Sequence, residues 1–353
     1  MLRVSHCKEI CCGLSVTCML LFTCSSFPSD SESGLMEREA VGFIGSLPPD
    51  LQLRQEQAVR KAIDGDNSAL VAVRASRNLA YRLPENVDTI DIDKKYRIYI
   101  PAHKPDKPLP LLIYLHGGGW CFGSINSCAR FCAGLVAESD MAVMAVEYPL
   151  APEHAYPAAI DSCTDAVIFA FDNAERYGFD TDNISLGGDS SGGNLALTTA
   201  LNLVYMAEKS GNPDGTSSLS HLKSLLLFYP VVKAWSDDCE SWRKYGCGFG
   251  LDAGIMEAFN EAYVGENNPE EPLISPICAS KRHLAQLPPV LIVNADHDIL
   301  KDQGLEMYKR MADAGVNVTR TVYPGTTHLF ITVDGQPAAF DKAIKASAEF
   351  LRK

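Results

Sequence analysis

Six consecutive residues, Gly188-Asp189-Ser190-Ser191-Gly192-Gly193, carry the plainest chemical signal in this chain. A short apolar run (183–187) precedes them, and an apolar, helix-prone run (194–207) follows. A serine on a sharp strand-to-helix turn projects its hydroxyl where a histidine can reach it. Glycines on either side lack a Cβ and let neighbouring backbone pass close by. A helix starting behind the serine points free N–H groups at any negative charge that develops there. The chemistry such a serine performs is nucleophilic attack on a carbonyl.

Attack needs a base, an acid to orient it, and donors for the oxyanion. His116-Gly117-Gly118-Gly119-Trp120 follows an apolar, strand-like run (111–115). A triple glycine there can turn two or three backbone amides toward one point, as an oxyanion hole requires. A second apolar run, 289–295, ends among carboxylates; Asp296, Asp298 and Asp302 are the candidate acids, and spacing does not choose between them. His328 stands in a Gly-Thr loop after the strand-like run 318–323, downstream of those acids, and is the candidate base. Glu153, His154 and Asp189 read as structural or turn residues beside such a set.

The elements that must position these residues follow from hydrophobic periodicity. Strands are expected early within 87–100, then at 111–115, 141–147, 224–229, 289–295 and 318–323. Residues 158–177 read as an amphipathic helix, and 35–74 as helix-prone with a break at Pro48-Pro49. A Lys/Pro-rich turn at 102–109 and a polar loop at 209–220 separate elements. Residues 233–289 hold no clear strand but carry Trp235, Trp242, Phe249, Phe259 and Tyr263. Met256, Phe259, Asn260 and Tyr263 recur at helical spacing, so one face of a helix should pack downward. Alternating strands and helices predict one α/β domain of about 270–300 residues.

Composition narrows the partners. With 44 acidic against 31 basic residues the net charge is −13, which argues against nucleic acid and anionic membrane surfaces. Arg3 and Lys8 precede a 13-residue, largely apolar run (10–22) and small residues, the pattern of an export signal. Such a run is too short for a comfortable membrane span. Leu21-Phe22-Thr23-Cys24 loosely matches a lipobox, so Cys24 is a candidate lipid anchor, followed by a polar tether. The expected organisation is a signal at 1–26, a tether at 27–37 and the domain at 38–353, with the product exported or anchored at the cell envelope. Of 12 cysteines, five fall in the signal region and seven beyond it; Cys239 and Cys247 lie close enough in sequence to pair. Cys128 and Cys132 share a helix face at a spacing poor for a disulfide, and the spacing of a structural zinc site is not seen.

Taken together, the motifs resemble the hormone-sensitive-lipase-like branch of the α/β-hydrolase esterases. The matching residues are His116-Gly117-Gly118-Gly119-Trp120, Tyr148-Pro149-Leu150-Ala151-Pro152-Glu153-His154, Gly188 to Gly193, Ser275-Pro276, Leu287-Pro288-Pro289, Asp298-Ile299-Leu300-Lys301-Asp302 and Gly325 to Phe330, in the family's order. Pro149 departs from the family's arginine, and Ser191 from its common alanine. The resemblance implies an α/β-hydrolase fold: a mostly parallel central sheet, helices on both faces, and a helical cap from about 38–80 and 233–288. It implies a triad of Ser190, His328 and, among the three acids, Asp298. Gly117, Gly118 and Ser191 are the expected oxyanion donors, and Trp120 and Phe122 flank that loop and are expected to narrow the acyl side. The implied activity is hydrolysis of short-chain, acetyl-type carboxylic esters, with a small-molecule substrate and neither metal nor organic cofactor. The alternatives are a binding member of the fold without catalysis, and a lipase or amidase.

Overall fold

Strands made only of apolar residues need a core on both faces, and the sheet is built around that requirement. The computed structural model describes residues 32–103, 106–210 and 222–353. The expected signal, Cys24 and most of the polar loop 209–220 lie outside the described residues. The strands are β1 (Val87–Ile92), β2 (Tyr96–Pro101), β3 (Leu109–Leu115), β4 (Ala142–Val146), β5 (Phe179–Asp189), β6 (Leu225–Phe228), β7 (Val290–His297) and β8 (Val318–Thr327). They join in the order β1-β2-β4-β3-β5-β6-β7-β8. The β1/β2 and β2/β4 pairs are antiparallel and the rest parallel.

Within β3 the two-residue period divides the side chains between two cores. Leu111, Ile113 and Leu115 join one, and Leu112 and Tyr114 the other. Helices cover both faces. In chain order they are α1 (Glu32–Ser46), α2 (Leu51–Ile63), α3 (Ser68–Arg77), α4 (Ala129–Glu138), α5 (Ala158–Asp172), α6 (Ala174–Tyr177), α7 (Ser191–Lys209), α8 (Glu240–Tyr245), α9 (Ala253–Val264), α10 (Lys281–Leu284), α11 (Lys301–Asp313) and α12 (Pro337–Leu351). Phe131 and Leu135 of α4 share a core with Phe340 and Ile344 of α12. On the other face lie Ile160 and Val167 of α5, Leu195 and Leu197 of α7, and Met307 and Met311 of α11.

Three sequence expectations need correction. The tether expected at 27–37 overlaps α1, which begins at Glu32; Met36 is 1% exposed and lies in the core with Tyr323 and Phe330, and Ala40 and Phe43 of the same helix are buried as well, so its packed face holds it in place. The single helix expected at 158–177 breaks at Asn173 into α5 and α6. Cys239 is a free thiol and does not pair with Cys247. The six-residue α8 lies between them and spans about 9 Å, beyond the roughly 7 Å that a disulfide tolerates between Cα atoms.

Residues 233–289 contain no strand, only α8, α9, a 3₁₀ turn at Pro276–Cys278 and α10. Helix α2 packs against α9, where Arg60 Nη1 meets Glu261 Oε2 at 3.0 Å and Gln52 Nε2 donates to the Gly250 carbonyl at 3.0 Å. Helix α1 lies against β8 and α12, and Glu39 Oε2 accepts the Ala338 N–H at 2.9 Å.

Candidate active site

Strand β5 ends at Asp189, α7 begins at Ser191, and Ser190 alone makes the turn. Its backbone sits at φ 55°, ψ −119°, a conformation that L-residues rarely adopt. Neighbouring backbone holds it there: the Ser190 N–H donates to Phe228 O at 2.9 Å, and Ser190 O accepts from Asn194 N at 3.0 Å and Val231 N at 3.2 Å. Glycine is required at Gly192, because a Cβ there would stand 2.0 Å from Leu115 O. The spacing of the motif thus follows from β3 passing against the first turn of α7.

Ser190 Oγ lies 3.1 Å from His328 Nε2, and His328 Nδ1 lies 2.6 Å from Asp298 Oδ2. The three side chains come from the ends of β5, β7 and β8 and are 5%, 1% and 1% exposed for Ser190, His328 and Asp298. A carboxylate only accepts, so Nδ1 carries the proton and Nε2 is free to accept from the serine hydroxyl. The other oxygen of Asp298 accepts the Leu300 N–H at 2.9 Å, which fixes the carboxylate plane. The remaining candidate acids turn elsewhere. Asp296 meets Lys301 Nζ at 3.2 Å and the Gly325 N–H at 3.2 Å; burial works against its charge, but these contacts outweigh it and hold its pKa below the ordinary value. Asp302 Oδ2 accepts the Ser241 N–H at 2.8 Å.

The glycine loop stands beside this chain, with one reassignment. The Gly117 N–H donates to Asp189 Oδ1 at 3.0 Å and is therefore committed, contrary to the expectation that it serves an oxyanion. A carboxylate so close takes the amide first. Among the described residues, the N–H groups of Gly118, Gly119 and Ser191 donate to no other protein group. Gly119 has φ +60°, and a Cβ there would enter the Phe259 ring at 2.1 Å. Helix α9 thus presses directly on the loop.

Trp120 and Phe122, expected to flank the loop and narrow the acyl side, are turned toward α9. They are 0% and 1% exposed. Trp120 stacks on Tyr263 (centroids 4.3 Å apart, 3° between planes), and Phe122 meets Phe259 edge-on at 5.1 Å. Both are consumed by packing against α9, whose Phe259 and Tyr263 lie one helical turn apart.

One supporting residue, Arg74, gave no signal in the sequence. Arg74 of α3 donates to Cys121 O at 2.7 Å and Ala151 O at 2.8 Å, and its guanidinium grips both oxygens of Glu153, at 2.7 and 2.8 Å. Hydrogen bonding to Arg74 holds the Glu153 carboxyl below its usual pKa. Glu153 is thus a structural anchor, and His154 is exposed. The guanidinium of α3 thus anchors the turn that follows Pro149. Tyr148 Oη donates to His116 O at 2.6 Å, and its ring stacks on His116 at 4.2 Å. Burial lowers the His116 pKa to about 4 and keeps that ring neutral.

The sequence profile of the α/β hydrolase fold family matches residues 112–332. The chain is 29% identical over 323 residues to the ethyl acetate hydrolase of Pseudomonas putida, covering 89% of this chain and 95% of the relative. It is 31% identical over 241 residues to the carboxylesterase NlhH of Mycobacterium tuberculosis, covering 68% and 72%. Among solved structures, a thermostable esterase from Pseudomonas putida superposes with a TM-score of 0.70 at 26% identity, over 93% of this chain and 97% of that one.

Proposed function

The chain belongs to the α/β-hydrolase fold family and is a serine hydrolase of the carboxylesterase kind; on that premise we propose that it cleaves short-chain, acetyl-type esters with Ser190, His328 and Asp298 as its triad. The observation that carries this reading is the unbroken hydrogen-bonded line from Asp298 through His328 to Ser190 Oγ. His328 Nε2 takes the hydroxyl proton as Oγ attacks the ester carbonyl, and Asp298 stabilises the imidazolium that forms. The oxyanion falls to the amides of Gly118, Gly119 and Ser191. His328 then protonates the leaving alcohol as the carbon–oxygen bond breaks, leaving an acyl-serine. Water gives a proton to the same nitrogen, attacks the acyl carbon and releases the acid, and Ser190 recovers its proton.

Two features support a short acyl group. Aromatic side chains of α9 close over the glycine loop, and Ser190 itself is 5% exposed. One relative, aligned over 95% of its length, is named for hydrolysis of an acetyl ester. In this reading α2 and α9, which pack together, are parts of a cap contributed by about 38–80 and 233–288. Export, with or without lipidation at Cys24, belongs to the same proposal.

The test is hydrolysis of a p-nitrophenyl ester series from acetate to palmitate by the wild type and Ser190→Ala. Turnover should peak at the short esters and vanish in the variant. Equal inertness of both proteins would favour a binding role, and a maximum at long, emulsified esters would make the protein a lipase.

A further inference from the structure

The catalytic cycle leaves unused a carboxylate that adjoins the nucleophile. Asp189 is 1% exposed, and three segments converge on it. Its Oδ1 accepts from Tyr114 Oη of β3 at 2.9 Å and from the Gly117 N–H of the glycine loop at 3.0 Å. Its Oδ2 accepts from Thr332 Oγ1 at 2.9 Å, in the turn that follows His328. The loop is pressed onto the carboxylate so closely that a Cβ on Gly117 would lie 2.3 Å from Asp189 Oδ2.

We propose that Asp189 is a positioning residue: it pins the Gly117 end of the glycine loop and the turn after His328 to the end of β5, directly before Ser190. The proposal rests on the catalytic reading given above. With Gly117 held, the next two amides in the loop are set against Ser190 Oγ; with Thr332 held, the path of the histidine loop is set as well. Aspartate suits this place because its two oxygens only accept, and every group around it donates. Burial raises its pKa while the bonds from Thr332, Tyr114 and Gly117 oppose that rise, as expected of a carboxylate kept for its acceptors in an apolar site. Asparagine can retain the geometry: its oxygen can accept from Gly117 and Tyr114, and its amide can donate to the Thr332 hydroxyl. Alanine retains none of it.

The experiment compares wild type, Asp189→Asn and Asp189→Ala on p-nitrophenyl acetate, with melting curves and the affinity of each protein for an alkylboronic acid that mimics the tetrahedral intermediate. The alanine variant should lose about 100-fold in kcat, the effect of misplacing one oxyanion donor. Its KM should stay within about threefold, and boronate affinity should fall with kcat, as follows when only transition-state contacts are lost. Asparagine should restore most of kcat and of boronate affinity. Should the alanine variant not fold, Asp189→Ser replaces it with the same expectation, since its shorter side chain cannot reach Gly117. A folded alanine or serine variant with wild-type kcat would overturn the proposal, as would an asparagine variant as slow as alanine. An inert wild type would overturn the catalytic reading and this proposal with it.

Discussion

His328 Nδ1 and Asp298 Oδ2 stand 2.6 Å apart, and neither side chain meets solvent. The short contact between two buried groups fixes the imidazole tautomer before any substrate arrives. Nε2 is left as an acceptor 3.1 Å from Ser190 Oγ, so in the proposed mechanism Asp298 acts on a serine that it does not touch.

Asp298→Asn should therefore fold normally and lose about 10⁴-fold in kcat, because an amide facing Nδ1 favours the wrong tautomer. Asp302→Asn is the matched control, since the Asp302 carboxylate bonds Ser241 of α8 while His328 bonds Asp298. Steady-state turnover of p-nitrophenyl acetate distinguishes the two. Equal losses in both variants would remove Asp298 from its assigned role.

His116 predicts the acid limb of stability. Burial lowers its pKa from the ordinary 6.5 to about 4. Between these values the unfolded chain binds a proton that the folded chain refuses, so stability is full above about pH 6.5 and falls as pH drops toward 4. The whole shift corresponds to about 3 kcal/mol. Urea midpoints across this window should decline in the wild type and decline less steeply in His116→Asn. Parallel profiles would show that another group sets the limb.

Arg74 predicts a stability effect with a functional echo. It joins α3 to the carbonyls of Cys121 and Ala151 and to Glu153, in a partly solvated setting. Arg74→Met should cost about 1–3 kcal/mol, since charge-assisted hydrogen bonds are lost and Glu153 is left without its cation. Because Cys121 adjoins the glycine loop, kcat should fall too. Arg74→Lys should recover little, as an ammonium cannot make the paired contact. Thermal melts and esterase assays at one pH check both effects.

How much of this was readable in the sequence depends on the range of each interaction. Ser190, His328 and the triple glycine announced themselves because each sits where an apolar strand ends in a turn, a pattern local to a few residues. The acid was not readable from spacing: Asp296, Asp298 and Asp302 share one short stretch, only the motif resemblance singled out Asp298, and physically the choice lies in which side chain reaches a ring 30 residues downstream. Gly117 was misread for the same reason, its amide being captured by a carboxylate 72 residues away. Arg74 left no trace because its targets lie 47 to 79 residues beyond it. Trp120 and Phe122 were recognised as neighbours of the loop, but only the docking of α9 shows that they face its aromatic side chains.

That docking gives the last prediction. Phe259 sits where a Cβ of Gly119 would be, and its ring meets Phe122 edge-on at 5.1 Å. If this ring limits the acyl group, Phe259→Ala should open space beside the oxyanion loop and shift preference from acetate toward butyrate and hexanoate. One added methylene in such a pocket changes kcat/KM by about 10-fold or more. The variant should also lose about 3–5 kcal/mol of stability, as buried Phe-to-Ala changes do, so assays belong well below its melting temperature. Acetate turnover should fall modestly, because α9 no longer buttresses the loop. The ratio of hexanoate to acetate kcat/KM isolates the pocket from the buttress, since loosening the loop slows every ester alike. An unchanged ratio in a folded variant would mean that the acyl group lies away from this ring and that Phe259 serves packing alone.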